Sequence, residues 1–557
     1  MKLDNKIFKA LSLGLLSVLI YSGCKKYDNP PPVYEELKRA VGAQRKVLII
    51  SIDGLTGTEL QAVAPTNITE LQKNSKYSYN TLKTASDAAG WVSMLTGTGF
   101  SKHQISGDNF ERIQDPNSDD HAPIVSYRNV FDYVTQYKAV KTALVTPWAN
   151  LRNYMRNADF SPVVTTDLAV KDSTISILNS QTGLGVMTVN FREVEAAGAN
   201  GGYLASNVNY KNAIIKADEY VGNIMTALKA RKNYASEDWL VIITSNHGGS
   251  SANPTNGFTL VYNSVFKPFE LKKTGFNTVL FKGKNILALV PNDNGLYDPG
   301  TNKSFTVQMQ IKVMTPSPGY VGFLSKGTGY GAGTVGAVDG WTMGTWAKNW
   351  KTYYNGGYSP EQTLLADATW RTLTITLNTT NATTRTLNIY NDGVSTTAAT
   401  NLGTKVLTSA EPLQIGWRNV DNNTPIDFYA ANLTYFNTAL DATTIKNNIA
   451  LKDITKHPNY ANLVGFWPLD EGSEGTIFNK ALTGYNMQLT GPYVWTSLGN
   501  DYPPGTTPEP ITSSLSIPST VSDVSALTLY WMKINILSDF GFDGKPYLTK
   551  FEIEFLK

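Results

Sequence analysis

Cysteine is almost missing from this chain: Cys24 is the one thiol in 557 residues. It closes no intramolecular disulfide and builds no cysteine-rich zinc site. Charge is also sparse, at 17% of residues, and 48 basic against 45 acidic side chains leave a net charge of only +3. No basic field for a nucleic-acid partner results, and none is expected. Histidine is limited to His103, His121, His247 and His457, which restricts imidazole metal ligation. Beyond the first twenty residues no apolar run is long enough to cross a bilayer. What is plentiful is apolar and β-prone: 41% hydrophobic residues, Gly 45, Tyr 29 and Trp 11. That composition excludes wholesale disorder and suits an exported, β-rich protein. At roughly 150 residues per domain, the length alone suggests three or four domains.

The front of the chain accounts for the cysteine. Lys2, Lys6 and Lys9 precede an apolar stretch from Ala10 to Ile20, followed by Tyr21-Ser22-Gly23-Cys24. A basic start, a short apolar stretch and small residues describe a signal peptide over 1–23. Small residues directly before a cysteine resemble the bacterial lipobox, although Tyr21 departs from the usual aliphatic residue. The resemblance implies lipidation at Cys24; an ordinary signal peptide with an incidental cysteine is the alternative. The only membrane contact expected is then through the N-terminal lipid. Residues 24–44, with Pro30, Pro31 and Pro32, read as a stiff extended tether.

An α/β pattern follows. Lys46-Val-Leu-Ile-Ile-Ser-Ile-Asp53-Gly54 is a continuous apolar run closed by a carboxylate and a glycine. Such runs suit parallel strands buried on both faces. Trp239-Leu-Val-Ile-Ile-Thr-Ser245 is a second one, ending in Asn246-His247-Gly248. Between them Ile214, Ala217, Val221, Ile224 and Leu228 recur at helical spacing. Strand–helix alternation predicts a doubly wound sheet, with its site at the strand ends around Asp53 and His247.

With these residues, 46–275 resembles the alkaline phosphatase superfamily, in particular its type I phosphodiesterase/nucleotide pyrophosphatase branch. Ile52-Asp53-Gly54 matches the first metal-ligand strand. Gly90 to Gly97, followed by Ser101-Lys102-His103-Gln104-Ile105, resembles the nucleophile helix and the turn after it. Phe191–Gly202 takes the place of the Asp-x-x-Gly-His motif, and Thr244–Gly248 that of Ser-Asp-His-Gly. The resemblance implies two divalent metals, usually zinc, clamping a phosphoryl group while a hydroxyl attacks. Counting back from Thr96-Gly97, the nucleophile position falls on Asp87, with Ser86 beside it. Glu195 stands at the second motif's aspartate position, Ala199 at its histidine position, and Asn246 at the third motif's aspartate position. A full two-zinc site is therefore not expected. Asp53, Asp87, Asn246 and His247 would at most hold one divalent cation. An Asp nucleophile has precedent in aspartyl-phosphate enzymes, so a retired site and an active one with altered ligands both stay open.

Past residue 275 the texture turns to short alternating runs of Thr, Asn, Gly and aromatics. Phe305–Val313, Trp370–Leu377, Thr386–Tyr390 and Leu433–Phe436 show period two, and Asn391-Asp392-Gly393 is a hairpin signal. An antiparallel sandwich follows. Leu413-Gln-Ile-Gly416 and Leu463–Gly472 give it a resemblance to the concanavalin A-like, laminin-G type jelly roll. Folds of that type often bind glycans. Trp341, Trp346, Trp350 and Tyr353 (with Tyr354) form an aromatic stretch read as too irregular for a strand; it is either a glycan-binding surface or core filling.

Residues 501–510 read as a linker, and Val521–Ile534 with Asp543-Gly544 resembles the closing piece of the phosphatase-type domain, with Ser525 where proline is usual. The expected organisation is an α/β doubly wound, alkaline phosphatase-like domain (45–284 plus 511–557) with an inserted all-β jelly-roll sandwich (285–500). The layout resembles accessory lipoproteins of TonB-dependent nutrient importers. It implies an outer-membrane lipoprotein, at the cell surface or on the periplasmic face, with such a transporter or a glycan as partner.

Overall fold

The computed structural model describes residues 44–113, 126–315, 319–329, 338–346, 348–364, 366–418, 425–513 and 515–555. Cys24 and His121 lie outside the described residues. Gln44–Tyr547 form one compact unit. In the other, Glu552–Phe555 is a single helical turn.

The apolar run after Lys46 forms β1 (Gln44–Ile52). In chain order, the elements around it are β2 (Ser75–Thr81), α1 (Asp87–Thr96), β3 (Lys141–Val145), α2 (Asp167–Ser180), β4 (Leu184–Phe191), α3 (Glu193–Ala199), α4 (Val208–Lys229), β5 (Glu237–Thr244), β6 (Gly257–Tyr262) and β7 (Phe269–Glu270). The sheet order is β3-β4-β1-β5-β6-β2-β7. β1 runs parallel to both β4 and β5, and β3 parallel to β4. β6 is antiparallel to β5, so the doubly wound core carries an antiparallel flank. Val47, Leu48, Ile49 and Ile50 are fully buried, because helices cover both faces of this strand. Burial at that level stabilises by about 1.5–3 kcal/mol per side chain. As the spacing predicts, α4 turns Ile214, Ala217, Val221, Ile224 and Leu228 inward.

The N-terminal ends of β1 and β5 share a buried charge cluster. Lys46 Nζ lies 2.8 Å from Glu237 Oε1, and Arg231 Nε lies 2.9 Å from Glu237 Oε2. With Trp239 Nε1 also donating to Glu237, the carboxylate is held down at about 2 despite its burial.

Two antiparallel sheets form the sandwich. One runs in the order Thr400–Asn401, Thr384–Asn391, Trp370–Asn381, Phe305–Thr315, Asp427–Phe436, Phe276–Phe281, Trp495–Gly499. The other centres on Asn349–Tyr354, Gly340–Trp346, Gly322–Gly327, Leu413–Arg418, Leu287–Leu289 and Met487–Thr490. The first strand of the sandwich, Phe276–Phe281, begins ahead of residue 285, the boundary expected from composition. After the linker the chain returns to the parallel sheet as α5 (Asp523–Trp531). Ser525 Oγ donates to the Met94 carbonyl at 2.7 Å, and Trp531 Nε1 to the Asp238 carbonyl at 3.0 Å. Ser525 thus ties α5 to α1.

The sandwich meets the α/β part through an acidic strip. Ser522 Oγ donates to Glu474 Oε1 at 2.6 Å, and Lys273 Nζ bonds the Asp470 carbonyl. Burial raises the Glu474 carboxyl from 4.5 to about 7, against the opposing Ser522 hydrogen bond, with Asp543 and Asp523 adding to the rise. A raised carboxyl holds its proton more tightly folded than unfolded. Its contribution is complete below about pH 4.5 and fades as pH climbs through 7. Glu474→Gln removes the ionisable group, so urea-midpoint measurements from pH 5 to pH 8.5 are expected to show a flatter decline than wild type. The difference should reach about 3 kcal/mol at the alkaline end. Parallel curves for the two proteins would refute this assignment.

Candidate functional site

Asp53 follows β1, Arg192 follows β4 and Asn246-His247 follow β5, so three carboxyl strand ends converge on one floor. α1 brings Asp87 to the same place in its first turn. Ser86 caps α1, its hydroxyl accepting from Ala89 N at 3.2 Å and donating to the Ser106 carbonyl at 2.7 Å. That bonding gives Ser86 the role of helix cap. Two glycines permit the convergence. A Cβ at Gly54, which has φ +73°, would strike Glu195, and one at Gly90 would strike the Asn246 carbonyl.

Arg192 dominates the floor, and the motifs did not point to it. Its Nη1 is 3.0 Å from Asp53 Oδ2 and its Nη2 is 2.8 Å from Asp87 Oδ2. Its guanidinium carbon sits 4.2 Å from the Trp148 ring centroid. Asp167 accepts from the backbone N–H of Arg192 and of Glu193, both at 2.9 Å, which fixes the start of α3. Asp53 is fully buried and saturated: Ser51 Oγ at 2.9 Å, Trp91 Nε1 at 3.1 Å and Asn190 Nδ2 at 2.8 Å donate to it besides Arg192. Burial raises its carboxyl to about 6; Arg192 opposes the rise and Asp87 adds to it. Asn246 turns its amide nitrogen to Asp87 and its oxygen to His247 N at 2.9 Å. Asn190 and Arg192 had one sequence signal, two polar residues at the end of an otherwise apolar strand.

Glu195 reaches the same floor, with Tyr203 donating to its Oε1 at 2.8 Å. Burial raises its carboxyl, and His247 counters this. His247 Nε2 lies 3.7 Å from Asp87 Oδ1 and 3.8 Å from Glu195 Oε2. His247 Nε2 and Glu195 Oε2 are buried without a hydrogen-bond partner. Ala199, at the end of α3, is exposed and brings no group to the floor.

The divalent cation expected from Asp53, Asp87, Asn246 and His247 does not fit this donor set. Both carboxylates are spanned by a guanidinium, the Asn246 oxygen faces the backbone, and Asp53 Oδ2 already takes three donors while Oδ1 takes Ser51. Among the described residues no three His, Cys, Asp or Glu side chains are grouped to hold a metal ion. Nor is there a hidden nucleophile at Ser93. Ile105 N–H donates to His103 Nδ1 at 3.0 Å, so Nε2 carries the hydrogen and donates to Ser93 Oγ at 3.0 Å. Burial lowers His103 to about 3, which leaves a neutral structural imidazole rather than a base.

The aromatic surface expected on the sandwich is corrected. Trp341, Trp350 and Tyr353 are at most 1% exposed, on two paired strands, Gly340–Trp346 and Asn349–Tyr354. Trp341 and Trp350 join the sandwich core and Trp341 stacks on Phe305. Tyr353 is covered from the other face by Val338 and Tyr320. Trp346 belongs to the first of these strands. Successive side chains of a strand point to opposite faces, and here both are covered, so Trp341, Trp350 and Tyr353 serve as packing and not as a sugar platform.

Residues 47–310 match the family described as type I phosphodiesterase / nucleotide pyrophosphatase, and residues 284–446 the concanavalin A-like lectin/glucanases superfamily. No curated protein sequence matches the chain. Among solved structures, murine ectonucleotide pyrophosphatase / phosphodiesterase 5 is 16% identical over 36% of this chain and 57% of its own, with a TM-score of 0.30. A 2-O glycosaminoglycan sulfatase is 10% identical over 40% of this chain and 65% of its own, with a TM-score of 0.32. A Bacteroides ovatus protein proposed to bind carbohydrate is 15% identical over 51% of this chain and 74% of its own, with a TM-score of 0.31. The chain thus spans less than two thirds of the sulfatase and the phosphodiesterase, and likenesses at these scores carry no argument about activity. The two family matches and the two sheet systems together show an alkaline phosphatase-like α/β fold joined to a concanavalin A-like sandwich.

Proposed function

We propose that the protein is a non-catalytic surface lipoprotein, its α/β part serving as scaffold and its sandwich as the recognition module. The observation that carries this reading is Arg192, whose guanidinium spans Asp53 and Asp87 and occupies the acceptor oxygens that metal-assisted phosphoryl transfer needs. Glu195 and Ala199 at the second motif, and Asn246 at the third, support it further. The concanavalin A-like match supports a glycan or protein ligand for the sandwich, with the aromatic strand pair removed from consideration as its surface. Anchoring through Cys24 on the outer membrane, and association with a TonB-dependent nutrient importer, are proposed from the lipobox-like front and the layout.

A second reading has one observation in its favour. The buried, unpartnered His247 Nε2 and Glu195 Oε2 suit an active metal-dependent phosphodiesterase with altered ligands. The full mature chain, assayed on bis-p-nitrophenyl phosphate with and without added zinc, is expected to release nitrophenol no faster than buffer. Turnover that Asp87→Ala abolishes would instead establish the enzyme. Glycan-array binding of the same protein separates the two sandwich ligands, since a blank array leaves protein docking.

The anchor has its own test. In cells fed an alkyne fatty acid, the wild-type chain is expected to take up label and Cys24→Ser to lose it. An unlabelled wild-type band would mark an ordinary signal peptide.

A further inference from the structure

The floor between β1, β4 and β5 gathers three buried or nearly buried carboxyl groups: Asp53, Asp87 and Glu195. Isolated carboxylates in such a place are destabilising by several kcal/mol unless a cation or donor set compensates them. One fixed cation reaches two of them. Arg192 Nη1 meets Asp53 at 3.0 Å and Nη2 meets Asp87 at 2.8 Å, with the remaining face of the guanidinium laid on Trp148. Its backbone is pinned by Asp167 and its side chain is about one quarter exposed, so it enters from the rim and ends on the floor. Two buried atoms without a hydrogen-bond partner lie on the same floor, His247 Nε2 and Glu195 Oε2, 3.8 Å apart, with His247 Nε2 3.7 Å from Asp87 Oδ1. The donor chemistry is that of a cation site; the cation present is part of the chain.

We infer that Arg192 is the resident cation of this pocket, a guanidinium standing in for a metal ion between Asp53 and Asp87, and that its removal opens a divalent-cation site there. With the side chain truncated, Asp53 and Asp87 lose their counter-charge, and the Oδ2 atom of each loses its guanidinium donor, while His247 Nε2 stands 3.7 Å from the other oxygen of Asp87. Zinc, a divalent ion of borderline softness, or the harder manganese fits carboxylate oxygens with one imidazole. The inference rests on the non-catalytic reading of the same pocket.

The test uses the full chain stripped of metal, with thermal unfolding and calorimetric titration of zinc, manganese and methylguanidinium. Wild type is expected to show no saturable binding and no shift in Tm. Arg192→Ala is expected to unfold at a lower temperature, to regain Tm with methylguanidinium, and to bind zinc or manganese at least about tenfold more tightly than wild type. A variant indifferent to all three cations overturns the inference and leaves the non-catalytic reading standing. Phosphodiester turnover by the wild type defeats that reading, while the variant's metal response still decides the inference. The double variant Arg192→Ala with Asp87→Asn covers the case in which Arg192→Ala does not fold. Removing a carboxylate together with its partner should restore a cooperative unfolding transition, and its continued absence would overturn the inference.

Discussion

A buried carboxylate has to be matched by positive charge or by hydrogen-bond donors, and this requirement organises the α/β half of the protein. Asp53 lies at zero exposure at the end of the central strand, and Ser51, Trp91, Asn190 and Arg192 all spend donors on it. Those donors come from β1, α1 and the end of β4, so one acceptor ties the elements of the sheet to the helix above it. Arg192 extends the tie to Asp87, and through Asn246 the end of β5 joins as well. The arrangement satisfies the folded state with the same carboxylate oxygens that chemistry at this floor would call on. Stability and catalysis compete for the same oxygens.

The same physics recurs where the sandwich meets the parallel sheet. Glu474 is buried against Ser522 just ahead of α5, and Asp523 in α5 caps Thr520 N and Lys545 N. Burial raises both carboxyl groups to about 7. The two parts therefore meet through acids whose protonation the fold favours, and not through an apolar seam alone. The returning segment is also held by backbone, with Leu82 N donating to the Ser519 carbonyl at 2.8 Å.

How much was legible in the sequence depends on whether the signal was periodic or convergent. β1, β5 and α4 could be read directly, because unbroken aliphatic runs and helical spacing have few other solutions. The sandwich strands Phe305–Thr315, Trp370–Asn381 and Thr384–Asn391 followed from alternation, and Asp392 and Gly393 adopt the left-handed backbone that the turn signal demands. The Trp341–Tyr354 stretch was harder: glycine and threonine between the rings resemble a loop, yet Trp341 and Met343 are inward at period two. Arg192 could not be weighed from its neighbours. An arginine after a strand ordinarily faces water, and only the approach of β1 and α1 turns it into a buried partner.

The sequence by itself determined the classes of element, their order and the residues at the carboxyl strand ends, since these follow from local hydrophobic pattern and motif spacing. Asp53, Asp87, Glu195 and His247 were all named from it. What they do to one another was decided by the tertiary structure alone. Coulombic and hydrogen-bond energies depend on separations of about 3 Å, and no spacing along the chain encodes a distance between Arg192 and residues 139 and 105 positions earlier. A motif can place a carboxylate at a pocket; whether it faces a metal or a guanidinium is settled when the strands pack.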